Sequence, residues 1–285
     1  MTTTLDATPS ALSLYLKAAA SYSRRPGALK TLPPLRLAQR GLRAETRHLA
    51  EYRRLCGMAE SPLLPITFPQ VLASSLHMAL MTQPKFPLPL LGLVHVANRI
   101  EQLQPLPVEA AFDVEVRIGD CRSVRAGLEF DLLTEVHSGE ALVWKATTTI
   151  IHRQPRPEDG RPARPPAPPA PGGLAEYDAF AVPADTGRRY ARLSGDYNPI
   201  HLYAATAKLF GFRRAIAHGM WSLARCVGAL EGRLQAPPQQ LDVRFKQPLL
   251  LPGRVILKSA PGDGGIEFWL LAAKGGKVHL AGRLR

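Results

Sequence analysis

Gly219-Met220-Trp221-Ser222-Leu223-Ala224-Arg225-Cys226-Val227-Gly228-Ala229-Leu230 reads as a helix with almost no polar face. Trp221, Leu223, Cys226, Val227 and Leu230 spread apolar groups around most of its circumference, so this helix has to be enclosed by other elements. Strands that could enclose it come next in the chain. Leu241 to Phe245 alternates, Arg254 to Ser259 alternates more loosely, Ile266 to Ala273 is a continuous apolar run, and Lys277 to Leu284 closes the series. Gly262-Asp263-Gly264-Gly265 and Gly275-Gly276 supply turns between them. The first of these glycine clusters has no helix after it, so it is a turn and not a phosphate loop.

The first half of the chain repeats this order. Pro69 to Met81 predicts a buried helix carrying Val71, Leu72, Leu76, Met78, Ala79 and Leu80. Strand candidates follow at Leu93 to Gln102, Val108 to Ile118, Leu128 to Val136 and Ala141 to Ile151, with turn signals at Gly119-Asp120 and Ser138-Gly139. Both halves thus predict an α+β unit in which a curved antiparallel sheet wraps one helix. Burying the two sheet edges against each other would make a pseudo-dimer from one chain. Residues 154–173 contain eight prolines and form a semi-rigid spacer between the units. The chain then divides into a basic, mainly helical N-terminal extension at 1–60, with its best helix at Ala44 to Leu55; a first unit at 61–153; the spacer at 154–173; and a second unit at 174–285.

The bulk numbers narrow the functional classes. A hydrophobic share of 46% and a charged share of 21% over 285 residues are ordinary for a soluble globular protein, and no apolar run approaches the roughly 18 residues of a membrane span. Cys56, Cys121 and Cys226 form no paired spacing, which favours a reducing, cytoplasmic location. The first residues given lack the compact apolar core and small-residue cleavage site expected of a secretory signal. The net charge of +13 comes with no nucleic-acid recognition motif. A phosphate-bearing small substrate or an acidic carrier protein would be drawn by the same field.

The chemistry concentrates at Ser194-Gly195-Asp196-Tyr197-Asn198-Pro199-Ile200-His201 and at His218-Gly219. On a straight helix, five residues would turn Asp196 and His201 about 140° apart. A loop that enters a first helical turn, with Asn198 as cap and Pro199 at its first position, can instead bring them together. That helix is predicted to run to about Leu209. His201 near its positive end would be neutral and able to accept a proton, and Asp196 could bind the same water or alternate with it as acid and base. Asn198 either caps the turn or supports the substrate. His218 fits a buried turn-shaping role, and His77 and His95 fit core or tail-pocket positions. Gly219 at a helix start would offer a free N–H to a developing enolate oxygen and let substrate approach closely. The set suits addition or removal of water beside a thioester, with no metal or redox cofactor required. No GxSxG elbow, HExxH helix or spaced Cys/His metal set occurs.

These residues, with Gly211-Phe212 and Ile216-Ala217-His218-Gly219-Met220, resemble the signature of the MaoC-like (R)-specific enoyl-thioester hydratases, and the duplicated element order resembles their double hotdog members. The resemblance implies reversible hydration of a trans-2-enoyl thioester to the (R)-3-hydroxyacyl thioester. It assigns water activation to Asp196 and His201, completes the catalytic set with Asn198, and gives the thioester oxygen to the Gly219 amide. Coenzyme A or an acyl-carrier phosphopantetheine would enter as part of the substrate, not as a cofactor. Leu64-Pro65-Ile66-Thr67-Phe68-Pro69, ahead of the first-half helix, has no equivalent of the Asp-x-Asn-Pro-x-His loop, so the first half is expected to be non-catalytic and to shape an acyl-tail pocket. The competing expectations are a non-catalytic acyl-thioester binding subunit and a hotdog thioesterase. A homodimer is compatible with either.

Overall fold

The computed structural model describes residues 3–21, 23, 24, 27, 29–153 and 174–285. The expected Pro-rich spacer at 154–173 lies outside the described residues. In chain order the elements are β1 (Thr3–Leu5), α1 (Ala11–Ser21), β2 (Arg36–Arg43), α2 (Thr46–Cys56), α3 (Pro69–Leu72), α4 (Ser74–Met81), β3 (Leu93–Gln102), β4 (Ala111–Val124), β5 (Gly127–Ser138) and β6 (Ala141–Arg153). The second half supplies β7 (Ala175–Val182), α5 (Thr186–Ser194), a 3-10 turn at Pro199–His201, α6 (Ala204–Lys208), α7 (Gly219–Leu230), β8 (Gln240–Phe245), β9 (Gly253–Gly262), β10 (Gly265–Ala272) and β11 (Val278–Leu284).

Among the described residues, all eleven strands form one sheet in the order β1-β2-β4-β5-β6-β3-β8-β11-β10-β9-β7. Leaving β1 aside, that order is symmetric about the β3–β8 seam: β2-β4-β5-β6-β3 on one side is answered by β7-β9-β10-β11-β8 on the other. The seam is antiparallel, with Ile100 opposite Leu241 and Asn98 opposite Val243. It seals what would otherwise be two open edges. Each half wraps its own central helix, so the expected double hotdog is the architecture observed.

The division of the N-terminal part differs from the sequence expectation. The described elements of residues 1–60 are mainly helical, in α1 and α2, but they do not form a separate preface. β2 pairs antiparallel with β4, in the place that β7 takes beside β9, so the first hotdog begins at β2. The reason is the alternation of Leu35, Leu37 and Gln39, all buried, with exposed Arg36 and Arg40. The predicted helix at Ala44 to Leu55 is α2, which closes on Gly57 in the left-handed region at φ 67°.

α7 is enclosed as its composition demands, with Trp221, Leu223, Ala224, Cys226, Val227 and Leu230 buried. It crosses the end of α2 at Gly228, where a Cβ would lie 2.7 Å from the Cys56 carbonyl and 2.9 Å from that of Gly57. The first-half counterpart, predicted as one helix from Pro69 to Met81, is broken at Ala73 into α3 and α4. Just after the break, the Ser74 hydroxyl donates to the carbonyl of Ser194, tying the first half to the end of α5. No helix among the described residues is long and apolar enough to cross a membrane.

Candidate active site

α5 brings the chain to the site and stops there. Gly195 caps it in the left-handed region, φ 71°, with its N–H on the Ala191 carbonyl. The Ser194 hydroxyl donates back to the Tyr190 carbonyl at 2.9 Å and accepts the Asp196 N–H at 3.2 Å. The chain then turns through Asp196, whose Oδ1 accepts the Asn198 N–H at 3.1 Å. Asn198 in turn caps the short Pro199–His201 turn through its Oδ1 and the Ile200 N–H at 3.4 Å. The predicted helix to Leu209 is therefore not continuous. Tyr203 is extended, at φ −141° and ψ 153°, and separates the 3-10 turn from α6. Arg188 holds the break open by donating to the Leu202 carbonyl at 2.9 Å.

This local path brings Asp196 and His201 together. Ligating atoms of Asp196, His201 and His218 all lie within 4.8 Å of one another. Both imidazoles are buried, whereas the Asp196 side chain keeps 44% of its surface accessible. Gly187 in α5 makes the close approach possible, because any Cβ there would collide with the His201 carbonyl.

Backbone carbonyls set the protonation of both rings. His201 Nδ1 lies 2.9 Å from the Ile216 carbonyl. A carbonyl only accepts, so Nδ1 carries the proton and Nε2 of the neutral ring is left as an acceptor. His218 Nε2 lies 2.9 Å from the Asp196 carbonyl and so donates, leaving its buried Nδ1 without a partner among the described residues. Ile216 is itself held by its N–H on the Ile200 carbonyl at 3.0 Å, and its neighbours Ala215 and Ala217 bond Leu251 and Leu249.

Burial holds His201 below the ordinary histidine value, against an opposing pull from the Asp196 carboxylate and the Ile216 carbonyl. Burial, reinforced by His201, takes His218 down to about 3. The neutrality of His201 thus comes from its surroundings more than from a helix dipole, which a three-residue turn scarcely provides. Burial pushes the Asp196 carboxyl up, but His218, His201, the Asn198 N–H and the Tyr15 hydroxyl together outweigh it and leave it below its ordinary value.

Gly219 is the first residue of α7, so its N–H has no acceptor within the helix. The Phe245 ring occupies the space a side chain would need, 2.9 Å from the position of a Cβ. His95 from β3 packs edge-on to Phe245, centroids 4.9 Å apart. Burial lowers His95 to about 4, against the opposing pull of the Ala97 carbonyl and, to a smaller extent, of the Asp196 charge. The same three residues would also suit a cation, since a ring that donates one N–H to a carbonyl still offers the lone pair of its other nitrogen. In the first half, the equivalent approach to the central helix is filled by fully buried Ile66, Thr67 and Phe68. Sequence reasoning missed the Ile216 carbonyl, Phe245 and Tyr15, whose hydroxyl reaches Asp196 Oδ1 at 3.0 Å from α1. None of the three carries a local sequence signal.

A double hotdog with a carboxylate and a neutral imidazole converging beside a free helix-start amide defines a class, and comparison with known proteins agrees. The MaoC like domain matches residues 150–259. The 3-hydroxyacyl-thioester dehydratase X of Mycobacterium tuberculosis is 34% identical over 277 residues, covering 97% of this chain and 98% of that protein. This chain belongs to the MaoC-like dehydratase family. The crystal structure of HtdX from Mycobacterium tuberculosis matches with a TM-score of 0.76 at 34% identity, covering 88% of this chain and 99% of that one. A MaoC-like dehydratase from Phytophthora capsici shares the fold at 20% identity, with a TM-score of 0.72 and coverage of 91% and 97%.

Proposed function

We propose that the protein is a hydro-lyase that interconverts trans-2-enoyl thioesters and (R)-3-hydroxyacyl thioesters. The observation that carries this reading is the convergence of Asp196 and His201 on one volume with His201 Nε2 unprotonated. The 3-hydroxyacyl-thioester dehydratase relationship supports the substrate class.

The geometry suggests a simple sequence. A water between Asp196 Oδ2 and His201 Nε2 donates a hydrogen to each. Its oxygen attacks C3 as one of its protons passes to Asp196 Oδ2 or His201 Nε2, and the group so protonated gives that proton to C2 on the same face. The negative charge that builds on the thioester oxygen meets the Gly219 N–H at the positive end of α7. Asn198 supports this by holding the turn and the Asp196 oxygen. Coenzyme A or phosphopantetheine arrives with the substrate, and no separate cofactor takes part. The three unpaired cysteines suit a reducing compartment such as the cytoplasm.

The test is hydration of crotonyl-CoA and longer enoyl-CoA esters, with carrier-protein thioesters in parallel and product stereochemistry determined. Asp196→Ala or His201→Ala is expected to lower turnover by roughly 10² to 10⁴. Unchanged turnover in both variants, or an (S) product, would sink the assignment.

A further inference from the structure

The N-terminal segment is fixed to the first half at both ends. β1 lies parallel to β2, and Thr8 accepts from the Gln39 amide at 2.6 Å. At the far end of α1, the Ser21 hydroxyl accepts the Leu90 N–H at 3.2 Å, while Arg24 donates to the Phe86 and Gln83 carbonyls. Leu14 and Ala18 are buried on one side of α1, and Leu16 on the other is 64% exposed. Between these anchors Tyr15 reaches across to the second half. Its hydroxyl donates to Asp196 Oδ1 at 3.0 Å, and its ring packs edge-on to that of Tyr197, centroids 6.1 Å apart and planes at 88°.

We propose that Tyr15 is a positioning residue for the dehydratase reaction: α1 holds its hydroxyl on Asp196 Oδ1, so that Oδ2 alone is presented to water. Oδ1 receives two donors, the Tyr15 O–H and the Asn198 N–H, which occupy its lone pairs and make it the poorer base. Among the described residues Oδ2 has only His218 Nε2 at 3.6 Å, too long for a hydrogen bond. Two donors on one oxygen also fix the plane of the carboxylate, which decides whether a water can touch Oδ2 and His201 Nε2 at once. Burial and the Asp196 charge both push the Tyr15 hydroxyl well above its ordinary value, so it remains a donor at any pH near neutrality. A segment to which the sequence alone assigns no role thereby becomes part of the active site, delivered by the half that lacks the catalytic loop.

This inference rests on the hydration reading, and the experiment separates the two. Tyr15→Phe keeps the ring against Tyr197 and removes only the hydroxyl. Enoyl-CoA hydration should show kcat lowered about tenfold, as expected for one lost hydrogen bond to a charged group, with KM within about twofold. The acid limb of the pH profile should move to higher pH, because one donor no longer favours the carboxylate form of Asp196. Leu16→Ala, on the exposed side of the same helix, should match the wild type in all three respects. If the wild type hydrates enoyl-CoA and Tyr15→Phe shares its kcat and pH limb, the positioning role is overturned while the function stands. The positioning role is equally overturned if Tyr15→Phe merely lowers the melting temperature. A wild type that neither hydrates nor dehydrates overturns both.

Discussion

His201 and His218 lie face to face, with ring centroids 3.7 Å apart and planes inclined by 26°, and each ring donates its one proton to a backbone carbonyl. Two imidazoles stacked this closely resist protonation together, since a charge on one raises the cost of a charge on the other. The stack therefore does more than fill space: it keeps His201 Nε2 available to a water, and it ties the Asp196 backbone to the start of α7 through His218. Position 218, read from sequence as a turn-shaping histidine, is structural support for its two neighbours.

This arrangement dictates the pH dependence. The proposed mechanism requires the base form at both His201 and Asp196, and both groups lie below their ordinary values. Protonation on acidification removes activity, so kcat/KM for enoyl-CoA hydration should be flat through neutrality. It should fall only below the ordinary histidine value of about 6.5. A profile whose acid limb sits above pH 7 would contradict the burial argument.

Stability should show its own acid dependence. Burial, with help from His95, takes His77 down to about 3, and its Nε2 meets the Thr134 hydroxyl at 2.8 Å. A group depressed in the folded state is fully stabilising above its unfolded value. It loses that contribution as pH falls, at about 1.4 kcal/mol per pH unit below about 6.5. Between pH 6.5 and pH 4.5, wild-type protein should lose about 2–3 kcal/mol more than His77→Gln, by urea denaturation at the two pH values. Parallel losses in the two proteins would show that His77 titrates normally.

Gly228→Ala tests the crossing of α7 and α2. The added Cβ would meet the Cys56 and Gly57 carbonyls, which belong to rigid backbone and have nowhere to move. Overpacking of this kind costs about 1–3 kcal/mol, although alanine is the better helix former. The urea midpoint should fall accordingly. A rise would mean that the two helices separate readily.

Much of this molecule could be read from the order of residues. The all-round apolarity of residues 219–230 and its echo at 69–81 are local patterns, and they dictated two enclosed helices with sheets around them. The Asp196-to-His201 loop was legible for the same reason, since Asn198 and Pro199 set the turn locally. Edge strands were harder. β7 carries the burial pattern of a strand exposed along most of its length, and β2 alternates buried Leu37 and Gln39 with exposed Arg36 and Arg40 over only a few positions. Neither buries enough on one face to announce itself. The break at Tyr203 was hidden because it depends on Arg188, fourteen residues upstream, capturing the Leu202 carbonyl.

Residue order settled the class of chemistry and the two-unit architecture, because helical periodicity, turn residues and a five-residue spacing are short-range properties. Which ring nitrogen carries a proton, which Asp196 oxygen is left open and where the N-terminal helix docks were settled in three dimensions. The Ile216 carbonyl lies 15 residues from His201, and Tyr15 lies 181 residues from Asp196. The first pair meets through packing within the second half and the second through packing of the two halves, and no local pattern records either meeting.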